Sequence, residues 1–231
     1  MFTPKFIKNL FFKGGELRAI GRSGGSLTRV FARQGNLDGS CAIYSLMMML
    51  IFHKKLDWED LVDGEQAKEN EFVARIQRQF LYGLSGLCLG GHILDELSDK
   101  LNQCIGRKQS EVFTTIPGKY NSVSRQELHL KIRAQLNARN PVMLGFWGAT
   151  GKGHAVVAIG YQKVRNKLLL FCLDPGRPLP FVQMWNNVIG LDYLSCNDDA
   201  LTDINHYAEK EVCVKKIMII NDNPPELDCP F

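Results

Sequence analysis

Residues 41–54, CAIYSLMMMLIFHK, are apolar on nearly every side of a helix. Such a segment cannot rest on a surface with one face in water, so it predicts a helix buried all round. Asp38 and Ser40 stand just before it as candidate N-caps. The expected helix therefore begins at Cys41, and the rest of the chain has to supply the layers that cover it.

Further helical patterns occur at 58–61, 65–81 and 94–104. Ser124 and Glu127 form a capping box that opens a helix to about 140, where Pro141 ends it. The second half then changes period. Runs at 142–147, 154–161, 167–174, 181–185 and 212–221 are rich in β-branched and aromatic residues and read as strands of an antiparallel sheet. Helices first and strands later predict an α+β fold rather than alternating βαβ units. At 231 residues the chain can bury one good core and need not divide. The expected organisation is an N-terminal arm or extension over 1–30 and one domain over 31–231.

Four residues carry the chemistry. A cysteine attacks as its thiolate, and the first turn of a helix, with unpaired N–H groups and the positive end of the macrodipole, favours that anion. Cys41 is placed there, behind the small Gly39 and Ser40. His154 opens an apolar strand straight after the glycine loop GATGKG (148–153), which puts an imidazole at a sheet end. Asp174 follows twenty residues later. A hairpin turning near 163–166 brings 154 within a rung or two of 174, where opposed Cβ atoms lie roughly 5 Å apart. A carboxylate there fixes the imidazole tautomer and stabilises the imidazolium. Gln34, upstream of Cys41, offers an amide that could donate to a developing oxyanion beside the Cys41 backbone N–H. Nucleophile, base, orienter and oxyanion donor are all present.

The motifs QGNLDGSCAIY (34–44), GHAVVAIGY (153–161) and LDP (173–175) resemble the papain-like cysteine peptidases, with the flavour of the bacteriocin-processing C39-like branch. The resemblance spans about 34–185 and is carried by these three short motifs. It implies a papain-like fold, with an N-terminal helical half whose buried helix carries the nucleophile and packs on a C-terminal antiparallel sheet. It implies Cys41 as nucleophile, His154 as base, Asp174 as orienter and Gln34 as oxyanion donor. The family usually has its Gln six residues before the Cys, whereas here the gap is seven, and Ala42 stands where many relatives have Gly. The expected activity is cleavage of a peptide or isopeptide bond through a Cys41 thioester. The same machinery serves deamidation and transglutaminase-type acyl transfer, as in a toxin or effector. A catalytically inactive binding module on the same fold is the rival from another class.

Other chemistries find less support. The GATGKG loop lacks the Ser or Thr after Lys152, and the helix, of a phosphate-binding loop. Cys88 and His92 form one possible ligand pair with no second, so neither a metal nor any other cofactor is expected. The net charge of +4 is mild and no aromatic-interleaved basic motif occurs, which argues against nucleic acid as partner and for a protein or peptide substrate. No apolar run approaches the ~18 residues of a membrane span, and the basic N-terminus lacks a signal-peptide core. Seven cysteines without a short-spaced pair suit a reducing compartment, so a cytoplasmic location is expected, a secreted effector being the other option. Met47 to Met49 are expected in the core, and His53, His129 and His206 on the surface.

Overall fold

The computed structural model describes residues 4–22, 24–34, 40–62, 71–81, 93–148, 153–165, 167–181, 183–192, 201–204 and 209–221. Helix α1 (Cys41–Phe52) is its axis: Ile43, Leu46, Met48, Met49, Leu50 and Ile51 are all fully buried. The all-round apolar pattern has this consequence, because every face of α1 meets another layer. Ser40 caps α1 through its backbone, its carbonyl accepting from the N–H groups of Ile43 and Tyr44. Asp38 lies outside the described residues.

Short helices follow. They are α2 (Glu59–Val62), α3 (Phe72–Ile76, running on as a π-helical turn, Gln77–Leu81), α4 (Leu94–Ile105) and α5 (Arg125–Asn137). The expected capping box is visible where the Ser124 hydroxyl accepts from the Glu127 N–H at 3.2 Å. The first part of the helix expected over 65–81 lies outside the described residues. His53 and His129 are buried, against the expectation of surface positions. His53 follows the largely buried α1, and His129 sits between Leu128 and Ile132 on the inward side of α5.

The sheet is antiparallel throughout. Its strands are β1 (Lys5–Phe6), β5 (Ser110–Thr114), β6 (Val142–Gly148), β7 (Gly153–Val164), β8 (Lys167–Leu173), β9 (Asn187–Asp192), β10 (Leu201–Ile204) and β11 (Glu209–Ile220). Neighbours run β7-β6-β11-β10-β9-β8, and β8 pairs again with β7, so six strands close into a ring. Closure removes the exposed edges that an open sheet would leave. β1 lies along β7 and β5 along β11. The strand expected over 181–185 is not one: the ladder with β8 begins at Asn187, and Pro178, Pro180 and a turn precede it. Proline lacks the N–H that a ladder needs.

Residues 5–29, expected as an arm or extension, are woven into this core. After β1, a separate meander forms from β2 (Leu10–Lys13), β3 (Glu16–Ile20) and β4 (Leu27–Arg29). Its Leu17, Ala19 and Thr28 are buried. Gly160 makes β1 possible, because a Cβ there would stand 2.5 Å from the Lys5 carbonyl oxygen.

Candidate active site

Three elements converge on one end of α1. The hydroxyl of Ser45, fully buried one turn into α1, donates to the carbonyl of Ala155 in β7 at 3.2 Å. This bond ties the start of the helix to the start of the strand, one residue from His154. The β7–β8 hairpin then supplies Asp174. Its register, Val157 opposite Leu173 and Ala158 opposite Cys172, continues to set 174 across from 156, two residues from 154. Side chains alternate across a strand, so His154, Asp174 and Asn187 (opposite Cys172 in β9) share one face.

His154 Nε2 and Asp174 Oδ1 are 2.7 Å apart. That leaves Nδ1 of the ring for Cys41, which hydrogen-bonds to His154 and interacts with its charge. Burial disfavours the imidazolium, yet the bonds and charges of Asp174 and Cys41 outweigh it and raise His154 from 6.5 to about 10. Burial likewise pushes Asp174 up. The His154 hydrogen bond and charge, the Gly176 N–H and the Arg177 guanidinium outweigh it and hold the carboxyl below its ordinary 3.8. Phe146, opposite His154 in β6, sets its ring edge-on to the imidazole at 5.5 Å between centroids. Cys41 is 8% exposed, and the His154 side chain is 28% exposed.

Asp174 is itself held from every side. Its backbone N–H donates to Asn186 Oδ1 at 2.6 Å, and Asn186 Nδ2 donates to the Asp174 carbonyl at 2.8 Å. Gly176 N–H adds a second donor to Oδ1 at 2.8 Å. Oδ2 accepts from Asn187 Nδ2 at 3.1 Å and pairs with Arg177 Nε at 3.2 Å. Asn187 is buried, and its own Oδ1 has no hydrogen-bond partner among the described residues.

The structure thus brings Cys41, His154 and Asp174 together. Gln34 reaches the same region through its backbone, whose N–H donates to the Pro175 carbonyl at 2.8 Å, next to Asp174. The intervening 35–39 lie outside the described residues, as do 149–152 of the glycine loop and the pair Cys88 and His92. Asn186, Asn187, Arg177 and Ser45 were not anticipated. The signal available for the asparagines was a doubled amide directly before an apolar run, on a strand that pairs with the one leading to Asp174. No group of His, Cys, Asp and Glu among the described residues could hold a metal ion, and no helix among them is long and apolar enough to cross a membrane.

No protein-family model matches the chain, and no curated protein is similar to it.

Proposed function

We propose that the chain is a papain-like cysteine hydrolase that opens a peptide or isopeptide bond. The observation that carries this reading is the line Cys41–His154–Asp174, in which one imidazole meets a helix-borne thiol and a buried carboxylate. The Cys41 sulfur attacks the substrate carbonyl carbon, forming the S–C bond. The oxyanion is met by the Cys41 N–H and the Gln34 amide. The His154 imidazolium gives its proton to the leaving nitrogen as the C–N bond breaks, and an acyl-thioester remains. His154 then takes a proton from water, whose oxygen displaces the sulfur and releases the acid. If an amine replaces water in that step, the same residues perform acyl transfer. Asp174 keeps Nε2 protonated and the ring in plane throughout.

The slight exposure of Cys41 favours the rival reading of a binding module on the same fold. Incubation with p-nitrophenyl acetate, acid quenching and peptide mass spectrometry separates the two. The hydrolase reading expects acetyl at Cys41 ahead of the other six cysteines, with continued release of p-nitrophenol. Acetylation without preference for Cys41, and release unchanged in Cys41→Ala, would leave the binding module.

A further inference from the structure

The meander beside the site carries a feature that the hydrolase reading does not use. Among the described residues β2 is an edge strand, paired with β3 alone, and Phe11 and Phe12 are 41% and 38% exposed although they point to opposite faces. The turn to β3 is the two-residue Gly14–Gly15, with φ of +62° and +78°. Positive φ at both places is the hairpin turn that glycine favours. In such a hairpin the flanking pair, Lys13 with Glu16, exchanges hydrogen bonds, and pairs alternate from there. Phe11 therefore also bonds toward β3, while the N–H and C=O groups of Leu10 and Phe12 face away from it. A row of two donors and two acceptors, about 7 Å apart along the strand, is left for another backbone.

The surroundings say which backbone. Residues 1–34 carry seven Lys or Arg against a single acid, Glu16, a local +6 in a chain of +4, so the remainder is −2. Glu16 is already engaged by Arg18 at 2.8 Å and Arg29 at 3.8 Å. Lys8 and Lys13, both exposed, have no acidic partner among the described residues. Phe181, 81% exposed, stands over the hairpin tip, close enough that a Cβ on Gly15 would touch its ring at 3.6 Å. Phe181 belongs to the loop that follows Asp174, and the other end of the meander leads to Gln34, bonded to Pro175. The tip of the meander thus abuts the loop that follows Asp174, and its other end leads to Gln34 beside Pro175.

We propose that β2 is a docking strand for an extended segment of the substrate polypeptide, which adds to the meander as a fourth strand. The segment alternates acidic and apolar side chains. Those on one face meet Lys13, and those on the other lie over Phe12 and Phe181. Strand addition takes its affinity from main-chain hydrogen bonds and its choice of partner from alternate side chains. The proposal rests on the hydrolase reading for the identity of the partner as substrate, but the binding it requires is measurable without turnover.

The test uses Cys41→Ser protein and a fluorescein-labelled peptide of alternating Glu and Val, with a Lys-for-Glu peptide as control, read by fluorescence anisotropy. The Glu peptide binds, the Lys peptide does not, and added salt weakens binding. Phe12→Pro removes an outward N–H and lowers affinity about tenfold. Lys13→Glu, at an exposed position that leaves the fold intact, lowers it about fivefold and decides the matter if the proline variant does not fold. Equal affinity in Lys13→Glu, or no binding of the Glu peptide, overturns the proposal. Sedimentation with phosphatidylserine vesicles in place of peptide binding overturns it in favour of a lipid surface. Iodoacetamide labelling of the unmutated protein keeps the two ideas apart. Peptide bound by a protein with an inert Cys41 sinks the hydrolase reading and leaves the docking strand, whereas a reactive Cys41 with no peptide bound sinks the docking strand alone.

Discussion

Asp174→Asn is the change whose consequences follow most fully from the site. The carboxylate accepts four side-chain or backbone donors, His154 Nε2 and Gly176 N–H on Oδ1 and Asn187 Nδ2 and Arg177 Nε on Oδ2. An amide has one oxygen, and Asn186 fixes the backbone on both sides, so its NH2 must point at one pair of donors. If it points at Asn187 and Arg177, Asn187 can turn its own amide and accept through Oδ1, which has no partner now. Arg177 still loses its acceptor, and His154 loses its counter-charge. Removing one partner of a buried ion pair costs about 3–5 kcal/mol. The turn of Asn187 recovers part of this, which leaves about 2–4 kcal/mol. The pH dependence is the sharper readout. The folded His154 value, about 10, exceeds its ordinary 6.5, so its stabilisation is complete below 6.5 and is lost as pH rises toward 10. Asp174 has the opposite sign: its contribution is complete above 3.8 and is lost as pH falls through its lower folded value. Stability from the pair therefore peaks between these ordinary values. In Asp174→Asn the acid limb disappears and the alkaline decline begins from a lower plateau. Urea unfolding from pH 2 to 10 measures both. An Asn variant whose curve runs parallel to the parent's at all pH values would refute the reasoning.

Three further outcomes are expected. Gly160→Ala forces its Cβ into the Lys5 carbonyl and the Phe6 ring, 2.5 and 2.6 Å away, which should cost about 1–3 kcal/mol and speed amide exchange of Ile7, whose N–H bonds to Ile159. Ser45→Ala removes the bond from α1 to the Ala155 carbonyl, and thermal melting should show about 1 kcal/mol lost together with slower alkylation of Cys41. Gln34→Ala should lower p-nitrophenyl acetate turnover about a hundredfold, as expected for a lost oxyanion donor, with the melting temperature nearly unchanged; full turnover would remove Gln34 from the chemistry.

The parts of this molecule that could be read in the sequence are those with a strong local period or simple hairpin arithmetic. α1 was legible because no face of 41–52 is polar, and the meeting of His154 with Asp174 because twenty residues around a short turn have few other arrangements. What escaped depends on tertiary context. β1 to β4 hold two to five residues each among glycines, too short for alternation to stand out, so burial of Leu17 and Ala19 could not be foreseen. The run 181–185 has strand-like composition, but its backbone turns around Asp174 instead. Asn186 and Asn187 look like turn residues until β9 is known to pair with β8. His53 and His129 show that a histidine next to apolar neighbours follows the face it stands on.

Iodoacetamide alkylation of the unmutated protein and of His154→Ala, located by peptide mass spectrometry, tests the central claim most directly. If His154 and Cys41 act as a pair, Cys41 is alkylated before the other six cysteines, and His154→Ala removes that preference. Alkylation of Cys41 that is no faster than that of the other six, or that is unchanged in His154→Ala, would contradict it.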